Sequence, residues 1–221
     1  LREGDWLRLS LDAAREDTFQ QSHRPTGKLT LERILTDAQR IKKANPLISL
    51  GYSYVIVWEG IVLGGHELVS NVGEISEAVS KAGEYSFDYV SFKPCLLRLE
   101  GSRKESLFDP PDPDREARVI ALIGEMLAQA EKAAGPGLKI LKSVNLQAMM
   151  EGRLHEQKRQ PATCHSQFFR TVLAPSGIFH CPAFRGVPQG RIADHEGYLD
   201  AERFGRTQAR LDACIREFDA C

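Results

Sequence analysis

Residues 5–12, Asp-Trp-Leu-Arg-Leu-Ser-Leu-Asp, alternate strictly: Leu7, Leu9 and Leu11 fall on one side, Arg8, Ser10 and Asp12 on the other. A period of two predicts a strand. A polar loop follows. Thr30 then caps a helix whose apolar stripe is Leu31, Ile34, Leu35, Ala38 and Ile41, and Asn45-Pro46 ends it. Leu47–Trp58, rich in Val, Ile and Tyr, predicts a buried strand. Gly64-Gly65 marks a loop, and Asn71 with Glu74 reads as a capping pair. Ile75, Ala78, Val79 and Ala82 form the next helical stripe, with Gly83 at its end. Tyr85–Lys93 is a third strand closed by Pro94. After the Pro-rich loop 108–113, Pro113 suits the first turn of a long helix, striped by Val119, Ile120, Ile123, Met126, Leu127 and Ala130 and ended by Gly135. Leu138–Val144 is a fourth strand.

The order is β-α-β-α-β-α-β, so the fold class is α/β, with parallel strands joined by helical crossovers. Half of an eight-unit barrel or a partial barrel satisfies this order, and so does a doubly wound sheet. Residues 1–150 form this domain. The polar stretch 151–163 reads as a linker. Residues 164–221 differ in character: Pro175-Ser176-Gly177 turns a hairpin that pairs Thr171–Leu173 with Ile178–His180, and a final helix covers 200–217.

Composition narrows the class. Hydrophobic residues are 42% and charged residues 27%, enough for a packed core. The net charge is −1, so no global field favours nucleic acid or an acidic membrane. No apolar run approaches the roughly 20 residues that span a bilayer. The five cysteines, Cys95, Cys164, Cys181, Cys214 and Cys221, are odd in number and absent from the first 94 residues. That is a poor disulfide framework and points to a reducing, cytoplasmic setting.

The first strand carries the functional question. Burying Arg8, Ser10 and Asp12 without partners would cost several kcal/mol. Their side of the sheet therefore meets either water, as an edge strand does, or a polar ligand.

"DWLRLSLDAA" resembles the fourth-strand segment of radical S-adenosylmethionine (radical SAM) enzymes. "HRPTGKLTLERIL" is similar to the helix that follows it in that family, "LGYSYVIV" to the fifth strand, and "NVGEISEAVSKAGEYSFDYVSFKP" to the next helix and sixth strand. The resemblance runs in order over about residues 5–95. It implies the C-terminal half of a partial (β/α)6 TIM-like barrel, open enough for a cluster, S-adenosylmethionine and substrate. By resemblance, Arg8 and Ser10 lie near the cofactor's carboxylate and ribose, and Asp12 near the strand mouth. Gly51 and Ser53 lie on the next strand, and Lys93 and Pro94 end the sixth. A solvated strand terminus is the other reading of Lys93. The family's Cys-x3-Cys-x2-Cys motif for the catalytic [4Fe–4S] cluster and its Gly-Gly-Glu-Pro motif are absent. The resemblance thus implies a piece of a longer enzyme, inactive as it stands. An intact enzyme of this kind modifies a peptide, a protein or a small molecule and draws electrons from a donor such as flavodoxin or ferredoxin. Nucleic acid and membrane are not expected partners.

"CHSQFFRTVLAPSGIFHCPAFRG" resembles the start of the SPASM or twitch extension of that family, in which cysteines flank a hairpin. This implies an auxiliary [4Fe–4S] cluster with Cys164, Cys181 and Cys221 as ligands. Three residues, not the usual four, separate Gly177 from Cys181, and only Cys214 and Cys221 follow. A zinc site built from Cys164, Cys181 and His165 or His180 is the alternative; it would make the chain a binding module or scaffold. Cys214, on a helical stripe with Leu211 and Phe218, reads as core, as does Cys95.

Overall fold

In chain order the first part of the protein runs β1 (Trp6–Ser10), α1 (Glu16–His23), α2 (Leu31–Ala44) and β2 (Ser49–Ile56). A short hairpin, β3 (Val62–Leu63) and β4 (His66–Glu67), leads to α3 (Ile75–Glu84) and β5 (Tyr89–Pro94). A second hairpin, β6 (Leu97–Arg98) and β7 (Glu105–Ser106), precedes α4 (Pro113–Ala133), β8 (Lys139–Lys142) and α5 (Val144–Met150). The computed structural model describes residues 3–63, 65–98, 105–108, 110–154 and 170–216, which divide into two units, 3–154 and 170–216.

The sheet order is β1-β2-β5-β8, with every pairing parallel. The strands follow the chain without a reversal. A doubly wound sheet needs one, because right-handed crossovers change faces only where the strand order turns back. Consistent with this, α2, α3, α4 and α5 bury their stripes in one cluster with Leu50, Tyr52, Tyr54, Ile56, Val90 and Phe92. These strand residues alternate along β2 and β5 and so share one face. Leu35, Ile75, Val79, Ile123 and Leu146 are each fully buried there. Each such side chain contributes about 1.5–3 kcal/mol relative to leaving it in water.

Several elements depart from the pattern-based expectation. The loop expected after β1 contains α1, a polar helix whose buried residues are Thr18 and Phe19. Its N-terminus is capped from outside: the Glu74 carboxylate accepts hydrogen bonds from the amides of Ala14 (2.7 Å) and Arg15 (3.0 Å) and from the Thr18 hydroxyl. Glu74 therefore does not cap its own helix with Asn71, whose side chain makes no capping bond. Asn71 is 2% exposed and ties the ends of β1 and β2 together. Its Oδ1 accepts from Val57 N, and its Nδ2 donates to Asp12 O and Val55 O, all at 2.8 Å. The third strand begins at Tyr89, not Tyr85, because α3 ends through Ser86 in the left-handed region (φ 63°) while Tyr85 and Phe87 turn inward. The fourth strand stops at Lys142 because Ser143 caps α5, its hydroxyl accepting from Leu146 N at 3.2 Å.

The second unit holds β9 (Val172–Ala174), β10 (Gly177–Phe179), β11 (Arg191–Ala193) and α6 (Ala201–Arg216). The strands form an antiparallel sheet ordered β11-β10-β9. Ala174 pairs with Gly177, leaving Pro175-Ser176 as a two-residue turn. A side chain on Gly177 would meet Ala193 O at 2.6 Å, and its φ of 134° disfavours one as well. Ile178, Ile192, Leu211 and Ile215 make a small core beneath α6. The expected linker 151–163 lies mostly outside the described residues. Among the described residues, no helix is long and apolar enough to cross a membrane.

Asn71→Ala leaves the Val57 amide and the Asp12 and Val55 carbonyls without the partners that Asn71 provides. Each buried unsatisfied group costs about 1–3 kcal/mol. Urea unfolding should show a loss of at least about 2 kcal/mol by the same reasoning; an unchanged midpoint refutes the role given to Asn71.

Candidate functional site

The strand face away from the helices is polar. Register places Arg8, Gly51, Tyr89 and Lys139 in one row across β1, β2, β5 and β8. The next row, toward the C-terminal ends, is Ser10, Ser53, Ser91 and Leu141. Val55 and Lys93 follow. Parallel pairing in register, with a side-chain period of two, brings these residues from separate stretches of sequence onto one surface.

Arg8 and Ser10 are exposed on this face, and Lys93 is half-buried. The Arg8 guanidinium lies 5.8 Å from the centre of the Trp6 ring, a cation–π contact at the outer edge of β1. Ser53 is 2% exposed, yet its hydroxyl has no hydrogen-bond partner. A hydroxyl buried in this way costs about 1–3 kcal/mol until something pairs with it. Gly51 is buried under the Tyr89 ring: a Cβ on Gly51 would come within 2.1 Å of Tyr89 Cζ.

Asp12 sits just past β1 with a left-handed φ of 49°. Its Oδ1 accepts from Val55 N at 2.7 Å, and its Oδ2 accepts from the Ser10 hydroxyl at 3.2 Å. One carboxylate oxygen thus closes the end of the β1–β2 ladder, while the other reaches the polar face. His23 donates from Nε2 to Leu11 O at 2.7 Å, since a carbonyl can only accept. The same nitrogen lies 4.0 Å from Asp12 Oδ2. Pro94 stands apart from the group: it is buried beside Ile56, on the helix-packed face.

The structure thus gathers Arg8, Ser10, Gly51, Ser53 and Lys93 on one surface, with Asp12 at its edge. Tyr89, Ser91 and Lys139 join them and were not singled out from sequence. The strict alternation of Tyr89, Ser91 and Lys93 with Val90 and Phe92 holds the signal for the first two. As a donor set, the cations Arg8, Lys93 and Lys139 and a row of hydroxyls suit a ligand that carries a carboxylate and hydroxyl groups. The Ser53 hydroxyl, buried and unpaired, fits the same ligand class.

The cysteines separate. Cys95 lies in the core of the first unit, and burial, with a smaller contribution from the Asp12 charge, pushes its thiol above the ordinary range. Cys214 packs against the core of the second unit. Cys181 is partly exposed and follows β10 at the open end of the hairpin, away from its turn. Cys164 and Cys221 lie outside the described residues. Among the described residues, no three His, Cys, Asp or Glu side chains are grouped closely enough to hold a metal ion.

No family model matches the chain, and no curated protein matches it. Its fold is similar to that of the crystal structure of Streptococcus suis SuiB, with a TM-score of 0.55 and 14% sequence identity. The match covers 97% of this chain and 46% of SuiB, so the chain spans less than half of that protein's length. At this identity the likeness is one of fold.

The cysteine environments make a direct prediction. The thiolate is the reacting form, and Cys95 is both buried and shifted toward the thiol. At pH 8, iodoacetamide should label Cys95 at least about tenfold more slowly than Cys181 in the folded protein. Peptide-resolved mass spectrometry measures this, and equal rates would contradict the core placement of Cys95.

Proposed function

We propose that this chain is part of a radical SAM enzyme, and that the polar strand face holds S-adenosylmethionine within a partial barrel. The observation that carries this reading is the Ser53 hydroxyl, buried and unpaired within the polar face. Two further facts support it. The sheet is wound in one direction only, as a barrel segment is. The likeness of fold to SuiB, which covers 97% of this chain, supports a radical SAM relationship.

With S-adenosylmethionine and a reduced cluster held in the whole enzyme, the site would supply radical hydrogen-abstraction chemistry. This chain's residues bind and orient. Arg8 pairs with the cofactor carboxylate through a fixed fork of donors. Ser10 and Ser53 meet the ribose hydroxyls, which gives the Ser53 hydroxyl its missing partner. Asp12 holds Ser10 in place through Oδ2 while its Oδ1 is anchored to the backbone. Lys93 stands beyond the serine row, nearer the strand ends. The helices seal the opposite face from water.

In the second unit, Cys181 together with Cys164 and Cys221 holds an auxiliary [4Fe–4S] cluster. A peptide, a protein or a small molecule is the substrate class of the whole enzyme, and a flavodoxin or ferredoxin is its reductant.

Calorimetric titration of the chain with S-adenosylmethionine tests the first part. Arg8→Ala should weaken binding by about tenfold or more, the size of one lost charge-assisted contact. Ser53→Ala should weaken it by about three- to tenfold while leaving the fold intact, because the hydroxyl has no internal partner to lose. No binding by the unsubstituted chain refutes the reading. Anaerobic reconstitution with iron and sulfide tests the second part. A brown protein whose visible absorption falls in Cys181→Ala supports the cluster; a colourless protein with stoichiometric zinc supports a structural metal site instead.

A further inference from the structure

The polar face is not uniform along its length. The row nearer the N-terminal ends of the strands is bulky: Arg8 and the Tyr89 ring, with Trp6 beyond Arg8. The row above it is small over β1, β2 and β5, where it is Ser10, Ser53 and Ser91, and ends in Leu141 on β8. In barrels and barrel segments the interior is filled by successive tiers of side chains. A large tier under a small one leaves its space above the large one.

The ring that makes the lower tier is positioned by a specific device. Tyr89 stands directly opposite Gly51 on the neighbouring strand. A Cβ at Gly51 would lie 2.1 Å from Tyr89 Cζ, 2.3 Å from its hydroxyl and 2.5 Å from Cε2. The ring therefore lies across β2 in the space that any other residue's side chain would occupy. Its reach is toward β1, whose partner at that register is Arg8. Gly51 is in extended backbone and is needed here for room, not for a special dihedral.

We infer that Tyr89, laid across Gly51, is a plug that fills the lower tier and sets the depth of the ligand site, so that a ligand rests on the ring and pairs with the serine row. This rests on the reading of that face as the S-adenosylmethionine site. It makes Tyr89 a positioning residue. The ring supports the ligand from below, and the hydroxyls of Ser10 and Ser53 are then at the ligand's level instead of beneath it.

Calorimetric titration of the full chain with S-adenosylmethionine, alongside nuclear magnetic resonance detection of p-cresol binding, tests the inference. Tyr89→Phe keeps the plug and should bind S-adenosylmethionine as the unsubstituted chain does. Tyr89→Ala should bind about tenfold more weakly, the size of a lost aromatic contact. Saturating p-cresol, which replaces the missing ring, should restore most of that loss. Gly51→Ala, which drives the ring off its seat without removing it, should weaken binding similarly and gain nothing from p-cresol. Unimpaired binding by both Tyr89→Ala and Gly51→Ala overturns the inference, as does equal weakening in Tyr89→Phe and Tyr89→Ala. If Tyr89→Ala does not fold, Gly51→Ala decides alone. Should the unsubstituted chain bind no S-adenosylmethionine, the functional reading fails; p-cresol binding to Tyr89→Ala but not to the unsubstituted chain still supports the plug, and its absence removes that too.

Discussion

The loop that leaves β1 is held by hydrogen bonds to residues distant in sequence, and the geometry of the polar face depends on them. Leu11 N donates to Ser53 O, Asp12 accepts from Val55 N, and Asn71 donates to Asp12 O. Tyr52 donates its hydroxyl to Ala13 O, and Glu74 takes the Ala14 and Arg15 amides. Five successive residues of a connecting loop thus have their backbone or side-chain polar groups satisfied by β2 and the turn before α3. Loops at the C-terminal ends of parallel strands are where such sheets carry their sites, and such loops are ordinarily mobile. Here the polar contacts add to the burial of Leu11, Ala13 and Ala14 in the core and fix Asp12, and through it Ser10, against the sheet.

That pinning explains two costs the structure carries. Asp12 takes a left-handed backbone that an L residue with a short polar side chain tolerates better than most. Tyr52 and Tyr54 are fully buried aromatic residues whose hydroxyls must find partners; they find Ala13 O and Asn71 O. Burial holds both phenols far above their ordinary range, with the nearby carboxylates adding to the effect, so they act as neutral donors. The same two side chains belong to the helix-packed face, so one face of β2 both fills the core and anchors the loops that frame the other face.

Much of the first unit was legible in the sequence because its elements bury regular stripes. The Leu31, Leu35 and Ala38 face of α2 and its Thr30 cap are where period and capping place them. The alternation of β1 separated Leu7 and Leu9 from Arg8 and Ser10. What escaped was anything held by polar contacts at long sequence separation. The helix α1 has almost no apolar stripe and owes its start to Glu74, about sixty positions away, so no local pattern announces it. Asn71 and Glu74 have the spacing of a capping box, but the fold uses them on other segments. Within the site, the shared face of Arg8 and Ser10 followed from strand alternation, while Gly51 and Ser53 were named through the family resemblance. Pro94 was separated from them by parity alone, one residue beyond Lys93. Tyr89 could be weighed only once register put it opposite Gly51. The cysteine segment remains the least legible, since two of its three proposed ligands, Cys164 and Cys221, fall outside the described residues.

The external cap that Glu74 provides has a consequence for how the protein breathes. The amides at the start of α1 are closed by a residue of the turn that launches α3, and a neighbour in that turn, Asn71, closes the backbone at Asp12 and Val57. Neither segment can open without stripping the other of partners. Amide hydrogens in the two stretches should therefore become accessible to solvent together, as one cooperative unit with a shared opening free energy, although some sixty residues of chain separate them.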